Sequence, residues 1–386
     1  MKPVHVVACK RSAIGRFGGG LKSFSAADLA FVIAGAVVPE SLRSEVEQVI
    51  LGQVLQAGSG MNVARQTGWK LGLPETTPAY TVNMVCGSSL KAVALGADAI
   101  HLGENELVLT GGVEVMSRAP HYAMDSRWGK KLGNITLQDS LMLDGLSDAM
   151  LNIGMGETAE RIAEKFGITR EEQDAFAARS QQLASENRVK FQREIVPVSG
   201  PDGTIREDEH PRADTTQESL AKLKPSFRKD GSVTAGNSSG INDGAAMVLL
   251  ASEDAVTRLN LTSRARLVAT AVVGCDPALM GLGPVEAIRS VCRRADWNLS
   301  DIEAIEINEA FAAQILGCAR LLDLDRSKLN QRGGAIALGH PIGASGARVL
   351  TTLIHLMEDA GYQKGIASLC VGGGMGIAMA VERSSP

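Results

Sequence analysis

At 386 residues, 45% of them hydrophobic, the chain is long enough for two or more ordinary domains around a large buried core. A formal net charge of −4 gives no electrostatic case for nucleic-acid binding, and no unbroken apolar run approaches the ~18 residues of a membrane span. The 42 glycines gather in a few tight places, with no repeat, and read as turns and close backbone approaches.

Val4–Ala8 reads as a first strand, with no signal-peptide core before it, so the cytoplasm is the expected compartment. The six cysteines (9, 86, 275, 292, 318 and 370) show no CxxC spacing and are expected to be reduced. Cys9–Gly20 is a glycine-rich loop lacking both the GxGxxG order and the Walker Lys-Ser pair, which excludes a nucleotide loop. Residues 25–38 form an apolar helix, Val46–Leu51 a strand, and the run from Gly58 leads into a short helix carrying Ala64, Arg65 and Gln66. Thr81–Leu90 predicts a strand that stops at Cys86, a tight Gly-Ser-Ser turn, and a small-residue helix to Ile100. A thiol at that helix start meets unpaired N–H groups and the positive helix end, both favouring the thiolate. Glu106–Glu114 then gives a buried strand. Strands alternating with helices argue for an α/β layer.

The texture changes from about 117 to 240. His121–Asp148 has poor periodicity and reads as a lid or an oligomer contact. Thr169–Glu172 is a capping box opening a helix, and 194–230 is polar loop with short strands. A second α/β unit follows: a strand to Leu250, a helix begun by Pro284, and a strand at Ile302–Ile307 ending in Asn308-Glu309-Ala310-Phe311-Ala312. The two halves echo each other, with the Cys86 unit matched to the Asn308 unit and Leu107–Gly112 matched to Ile366–Gly374.

His340 lies between Gly339 and Pro341, which hold its backbone tightly, as a proton-transfer group requires. Cys370 ends an apolar strand before Gly372-Gly373-Gly374, which permit an N–H to be aimed at developing negative charge. Taken singly, Cys86 and Cys370 are also compatible with core-filling thiols, and His340 with a satisfied structural imidazole. Together with Asn308 they fit a zinc site, a redox pair or a covalent thiol enzyme. Asn308 weighs against zinc, and the wide Cys86–Cys370 spacing weakens a redox pair.

Four motifs in order, Asn83–Ser89, Asn308–Ala312, Gly339–Gly346 and Cys370–Gly376, resemble the thiolase family, and the likeness spans essentially the whole chain. The resemblance implies an α/β thiolase fold: a duplicated five-layered α-β-α-β-α core with an inserted loop domain. The expected division is an N-terminal domain at 1–118 with 249–267, a loop domain at 119–248 that binds CoA and supports oligomers, and a C-terminal domain at 268–386. It implies Cys86 as nucleophile, His340 as its base, Asn308 positioning a water, Cys370 as acid and base at the α-carbon, and the N–H groups of Cys86 and Gly372 as an oxyanion hole. Coenzyme A is expected as a substrate, with no tightly bound cofactor and no metal. Arg212 and Ser219 would meet its adenine end, Ser239 its pantetheine, and Met155, Met280, Ala310 and Phe311 the thioester end. A homodimer or dimer of dimers is implied, with 121–144 as a tetramerisation loop.

The implied activity is acetyl-CoA C-acetyltransferase, with a degradative 3-ketoacyl-CoA thiolase as the alternative and a non-catalytic CoA-binding protein far behind. One departure bears on that choice. Gly154 stands where short-chain biosynthetic members commonly carry histidine before the methionine seen here as Met155.

Overall fold

The computed structural model describes residues 2–201 and 203–384. The first half contains β1 (Val4–Ser12), α1 (Ala26–Val37), β2 (Gln48–Gly52), α2 (Val63–Leu71), β3 (Ala79–Val82), α3 (Ser88–Leu102) and β4 (Leu107–Val115). Local chemistry places the helix starts. The Ser25 side chain accepts from the Asp28 N–H at the head of α1, and Asn62 accepts from the Arg65 N–H at the head of α2. An excursion follows, with α4 (Met155–Phe166) and α5 (Arg170–Glu186); the latter opens with the expected Thr169–Glu172 capping box. The chain then re-enters the sheet as β5 (Asn242–Ser252), a strand that runs across residue 248. The second half supplies β6 (Ala265–Gly274), α6 (Gly283–Ala295), β7 (Ala304–Ile307), α7 (Ala312–Leu322), α8 (Ser345–Ala360), β8 (Lys364–Val371) and β9 (Met375–Arg383).

The strands lie in the order β7-β8-β9-β6-β1-β5-β4-β2-β3. An internal symmetry is plain in the pairing. From the centre outward, β1-β5-β4-β2-β3 is antiparallel, antiparallel, parallel, parallel. The run β6-β9-β8-β7 is antiparallel, antiparallel, parallel, and a lone parallel bridge from Ile305 to Leu329 stands where β3 would be. The halves join through β1 and β6, paired at Val4–Leu267 and Val6–Ala265.

This topology corrects one expected match. The helix after Cys86 is α3, which feeds β4; its counterpart is α8, which follows His340 and feeds β8. Cys86 therefore pairs with His340 in the duplication, and Asn308, which leads from β7 into α7, corresponds to the β2–α2 turn. The match of Leu107–Gly112 to the strand ending at Cys370 agrees with the pairing.

Strand alternation sorts the apolar residues into layers. On β4, Val108 packs in the central cluster while Leu107 and Leu109 pack in an outer one; on β5, Val248 and Leu250 face inward while Met247 and Leu249 face outward. On β9, Ile377 and Met379 join the central cluster and Ala378 and Ala380 the other outer one. The outer clusters rest on α1 and α2, and on α6 and α7, while α3 and α8 fill the middle. The result is the five-layered α-β-α-β-α order.

The two central helices approach very closely. A Cβ on Gly346 of α8 would lie 2.5 Å from the Leu90 backbone nitrogen of α3, and the Ala347 N–H donates to Ser89 Oγ at 2.9 Å. The small residues of both helices are what permit this contact, which sets the Cys86 and His340 turns side by side.

Candidate active site

Cys86 sits in a strained turn. Val85, immediately before it, has φ of 45°, a left-handed conformation that is costly for a β-branched residue. Hydrogen bonds hold the strain in place: Ser88 Oγ accepts from the Met84 N–H (2.9 Å) and donates to Val85 O (2.6 Å), and the Gly87 N–H donates to Met84 O (3.0 Å). The thiol is 9% exposed, and burial pushes its pKa up to about 11, while the backbone N–H groups of Gly372 and of Cys86 itself pull the other way. The expected stabilisation of the thiolate by the helix start is thus outweighed by desolvation. At neutral pH Cys86 is a thiol.

The His340 imidazole is pre-oriented. Gly339 (φ 108°) presses on Asn242, where a Cβ would lie 2.5 Å from Cγ, and the His340 N–H donates to Asn242 Oδ1 at 2.9 Å. Ser345 Oγ lies 2.6 Å from His340 Nδ1 and 2.8 Å from Pro341 O. The single hydroxyl proton goes to the carbonyl, which can only accept, so Nδ1 carries a proton and donates to Ser345. Nε2 is left with its lone pair. Burial, and secondly the charge of Arg348, push the His340 pKa down to about 3, so the ring is neutral.

Asn308 and Cys370 complete the cluster from the second half. Asn308 is fully buried, with Nδ2 3.5 and 3.4 Å from the two His340 ring nitrogens. Cys370, also fully buried at the end of β8, has its pKa raised well above the usual thiol value by burial and then by Cys86, to which it is electrostatically close. The turn after it packs on the Cys86 turn: a Cβ on Gly372 would lie 3.3 Å from Val85 Cγ1 and 3.6 Å from Met155 Sδ.

A cavity of about 770 Å3 opens onto these groups. Cys86 and His340 line it directly, as do Met155, Met280, Ala310, Phe311, Ser239, Arg212 and Ser219, whereas Asn308, Cys370 and Gly372 do not form its wall. Arg212 and Ser219 are exposed; Met280, Ala310 and Phe311 are buried. The lining therefore runs from solvent inward to the thiol. Ser239 is fixed by its N–H donating to Ala310 O at 3.0 Å, and Phe311 stacks edge-on against Phe227 with centroids 5.9 Å apart. Gly154 also lines the cavity, and a Cβ there would meet only Leu146 O at 3.9 Å. Packing does not demand glycine at 154. Among the described residues, no group of three or more His, Cys, Asp or Glu could hold a metal ion, and no helix is long and apolar enough to cross a membrane.

Some supporting residues gave no sequence signal. His210 also lines the cavity, and burial lowers its pKa. Glu114 is fully buried and accepts from the N–H groups of Val54 (2.9 Å), Leu55 (3.2 Å) and Gly343 (3.0 Å). It ties the His340 loop to the end of β2. Glu114→Ala strands three buried donors and should cost about 3 kcal/mol or more in chemical denaturation; a loss under about 1 kcal/mol would contradict this clamp. Burial raises the Glu114 pKa to about 7 against its N–H partners. Because the folded value is raised, this group's contribution is fully present below its ordinary value and is lost as pH rises through about 7.

A buried thiol and a neutral imidazole at the inner end of a deep, largely apolar cavity, carried on a duplicated α/β core, define a thiol-dependent enzyme site. Comparison with known proteins gives the family. Residues 4–254 match the thiolase N-terminal domain and residues 261–383 the thiolase C-terminal domain. The acetyl-CoA acetyltransferase of Chromobacterium violaceum is 51% identical over 389 residues, covering 98% of this chain and 99% of that one. The crystal structure of the Bacillus anthracis acetyl-CoA acetyltransferase superposes with a TM-score of 0.96 at 44% identity, covering 100% of this chain and 99% of that one. Human mitochondrial 3-ketoacyl-CoA thiolase in complex with CoA gives 0.97 at 44% identity, covering 99% and 98%. The chain belongs to the thiolase family.

Proposed function

We propose that this protein is an acetyl-CoA C-acetyltransferase, condensing two acetyl-CoA molecules reversibly to acetoacetyl-CoA and CoA through an acetyl-Cys86 intermediate. The observation that carries this reading is one continuous cavity with Cys86 and His340 at its inner end and exposed Arg212 and Ser219 at its outer end, the layout that a long CoA thioester needs.

The proton balance follows from the charge states. Cys86 gives its proton to His340 Nε2 as its sulfur attacks the thioester carbonyl, and the N–H groups of Cys86 and Gly372 hold the resulting oxyanion. CoA leaves as the thiol, taking its proton from Cys370. The Cys370 thiolate then removes an α-proton from the second acetyl-CoA, while protonated His340 and a water on Asn308 hold the enolate oxygen. The enolate carbon attacks acetyl-Cys86; the tetrahedral adduct expels the Cys86 sulfur, which recovers its proton from His340. Every group returns to its starting state.

The acetyltransferase names of close relatives support the short-chain reading. The space beside Gly154 favours a second one, a 3-ketoacyl-CoA thiolase accepting longer chains. Thiolysis of 3-oxoacyl-CoA substrates of four, eight and sixteen carbons separates them. We expect strong preference for the four-carbon substrate; equal or faster turnover of the longer ones would overturn it in favour of the second. The unpaired outer edge of β3, with exposed Tyr80, and the apolar Trp128 and Leu132 on the 123–137 loop support a homodimer or dimer of dimers. The six free cysteines accord with a cytoplasmic location.

A further inference from the structure

Arg348 stands in the first turn of α8, 2% exposed, in the helical layer between the two β layers. Buried arginines elsewhere in the chain are matched by carboxylates. Arg11 bonds Glu194 at 2.6 Å and Asp208 at 2.6 Å, and Arg332 bonds Asp359 at 2.5 Å. Arg348 is different. Among the described residues no carboxylate lies within 4 Å of its guanidinium, and its Nε and Nη1 find no protein partner. Glu306, the acid that acts most strongly on it, is itself fully buried, and burial raises its pKa to about 8 against the pull of Arg348. A buried, unmatched cation is costly, and an ion pair does not account for this one.

Its one side-chain hydrogen bond does. Arg348 Nη2 donates to Asn308 Oδ1 at 3.3 Å. An amide can present either its oxygen or its nitrogen to a neighbour, and the two choices have opposite polarity. Arg348 has only donors, so it captures the oxygen and turns Nδ2 toward the His340 ring, 3.4 to 3.5 Å away. Flipped, the amide would aim an acceptor at the place where the enolate oxygen forms.

We propose that Arg348 is a positioning residue for carbon–carbon bond formation, acting through Asn308 by fixing which end of the amide faces His340 and the substrate. The inference rests on the acetyltransferase reading above. It gives Arg348 its positioning role in the condensation half of the reaction; in acylation, whose oxyanion is held by the N–H groups of Cys86 and Gly372, it acts only through its charge, which lowers the basicity of His340. A merely structural arginine at the head of α8 would affect both halves alike.

The test is a double-mutant cycle of Arg348→Met and Asn308→Ala on the full-length protein, with two readouts: acetylation of Cys86 by acetyl-CoA, followed by intact mass, and steady-state acetoacetyl-CoA formation. Arg348→Met should slow condensation about 10- to 100-fold while slowing acetylation by no more than about threefold, since losing the charge leaves His340 the stronger base. The double variant should be no slower than Asn308→Ala alone, since the arginine has nothing left to orient. Arg348→Lys, which keeps the charge but lacks the planar fork, serves the same cycle if the methionine variant does not fold, with the same pattern expected. Losses that multiply in the double variant, or acetylation that falls along with condensation, would overturn the inference alone, provided that the wild type acetylates and condenses. A wild type that takes up no acetyl group would overturn the proposed activity, and this inference with it.

Discussion

Replacing His340 by alanine should lower acetylation of Cys86 by about four orders of magnitude at pH 7, and the loss should shrink about tenfold for each unit of pH above that. The magnitude comes from the thiol. With its pKa pushed up to about 11, only about one Cys86 in 10⁴ is a thiolate at pH 7 once the imidazole is gone. The sign comes from the same equilibrium, because thiolate fraction rises with pH until the pKa is reached. The wild type behaves differently. His340 is neutral above about 3, so its base form does not titrate between pH 5 and 9, and acetylation should be nearly flat there. A neutral ring of such low basicity still serves, because its proton arrives as an anion forms beside it, and the two charges stabilise each other in the buried site. Stopped-flow acetylation across pH checks both. A loss below about tenfold, or a variant whose rate ignores pH, would remove His340 from this role.

Cys370→Ala should divide the reaction in two. Acetylation of Cys86 should stay within about threefold of wild type, while carbon–carbon bond formation falls by about 10³-fold or more. Cys370 lies behind the cavity wall, is fully buried, and holds its proton more strongly than an ordinary thiol. Such a group is a strong base once deprotonated, as removal of a weakly acidic α-proton requires. It does not touch the Ser345 and Asn308 contacts that orient His340. An external thiol or solvent can protonate departing CoA in its place, so the first half survives. A folded Cys370→Ala protein that no longer acetylates would contradict this division of labour.

Much of the site was legible because its chemistry is tied to punctuation. Glycine, serine and proline around Cys86 and His340 mark turns at strand ends, and the motifs in their order carry the family resemblance. The topology confirms the duplicated five-layered core, since alternating apolar residues on β4, β5 and β9 specify opposite faces. The remaining features depend on long-range placement. Val85 is an ordinary strand residue whose left-handed φ no local pattern announces. Glu114 looks like the polar end of a strand, yet it clamps backbone from two distant loops. The electrostatic expectation for Cys86 was reversed for a related reason: helix-start stabilisation is local and visible, whereas desolvation is set by the whole core. Cys86 and Asn308 both follow a strand and precede a helix, which makes them look equivalent in sequence, and only the sheet order shows that α3 corresponds to α8.

The most direct test of the central claim is the intact mass of the protein mixed with acetyl-CoA, followed by addition of a second portion of acetyl-CoA after free CoA is removed. The account predicts one acetyl group per chain, located on the Cys86 peptide, absent in Cys86→Ala, and discharged with formation of acetoacetyl-CoA. An acetyl group on another residue, or acetoacetyl-CoA formed at an undiminished rate by Cys86→Ala, would contradict it.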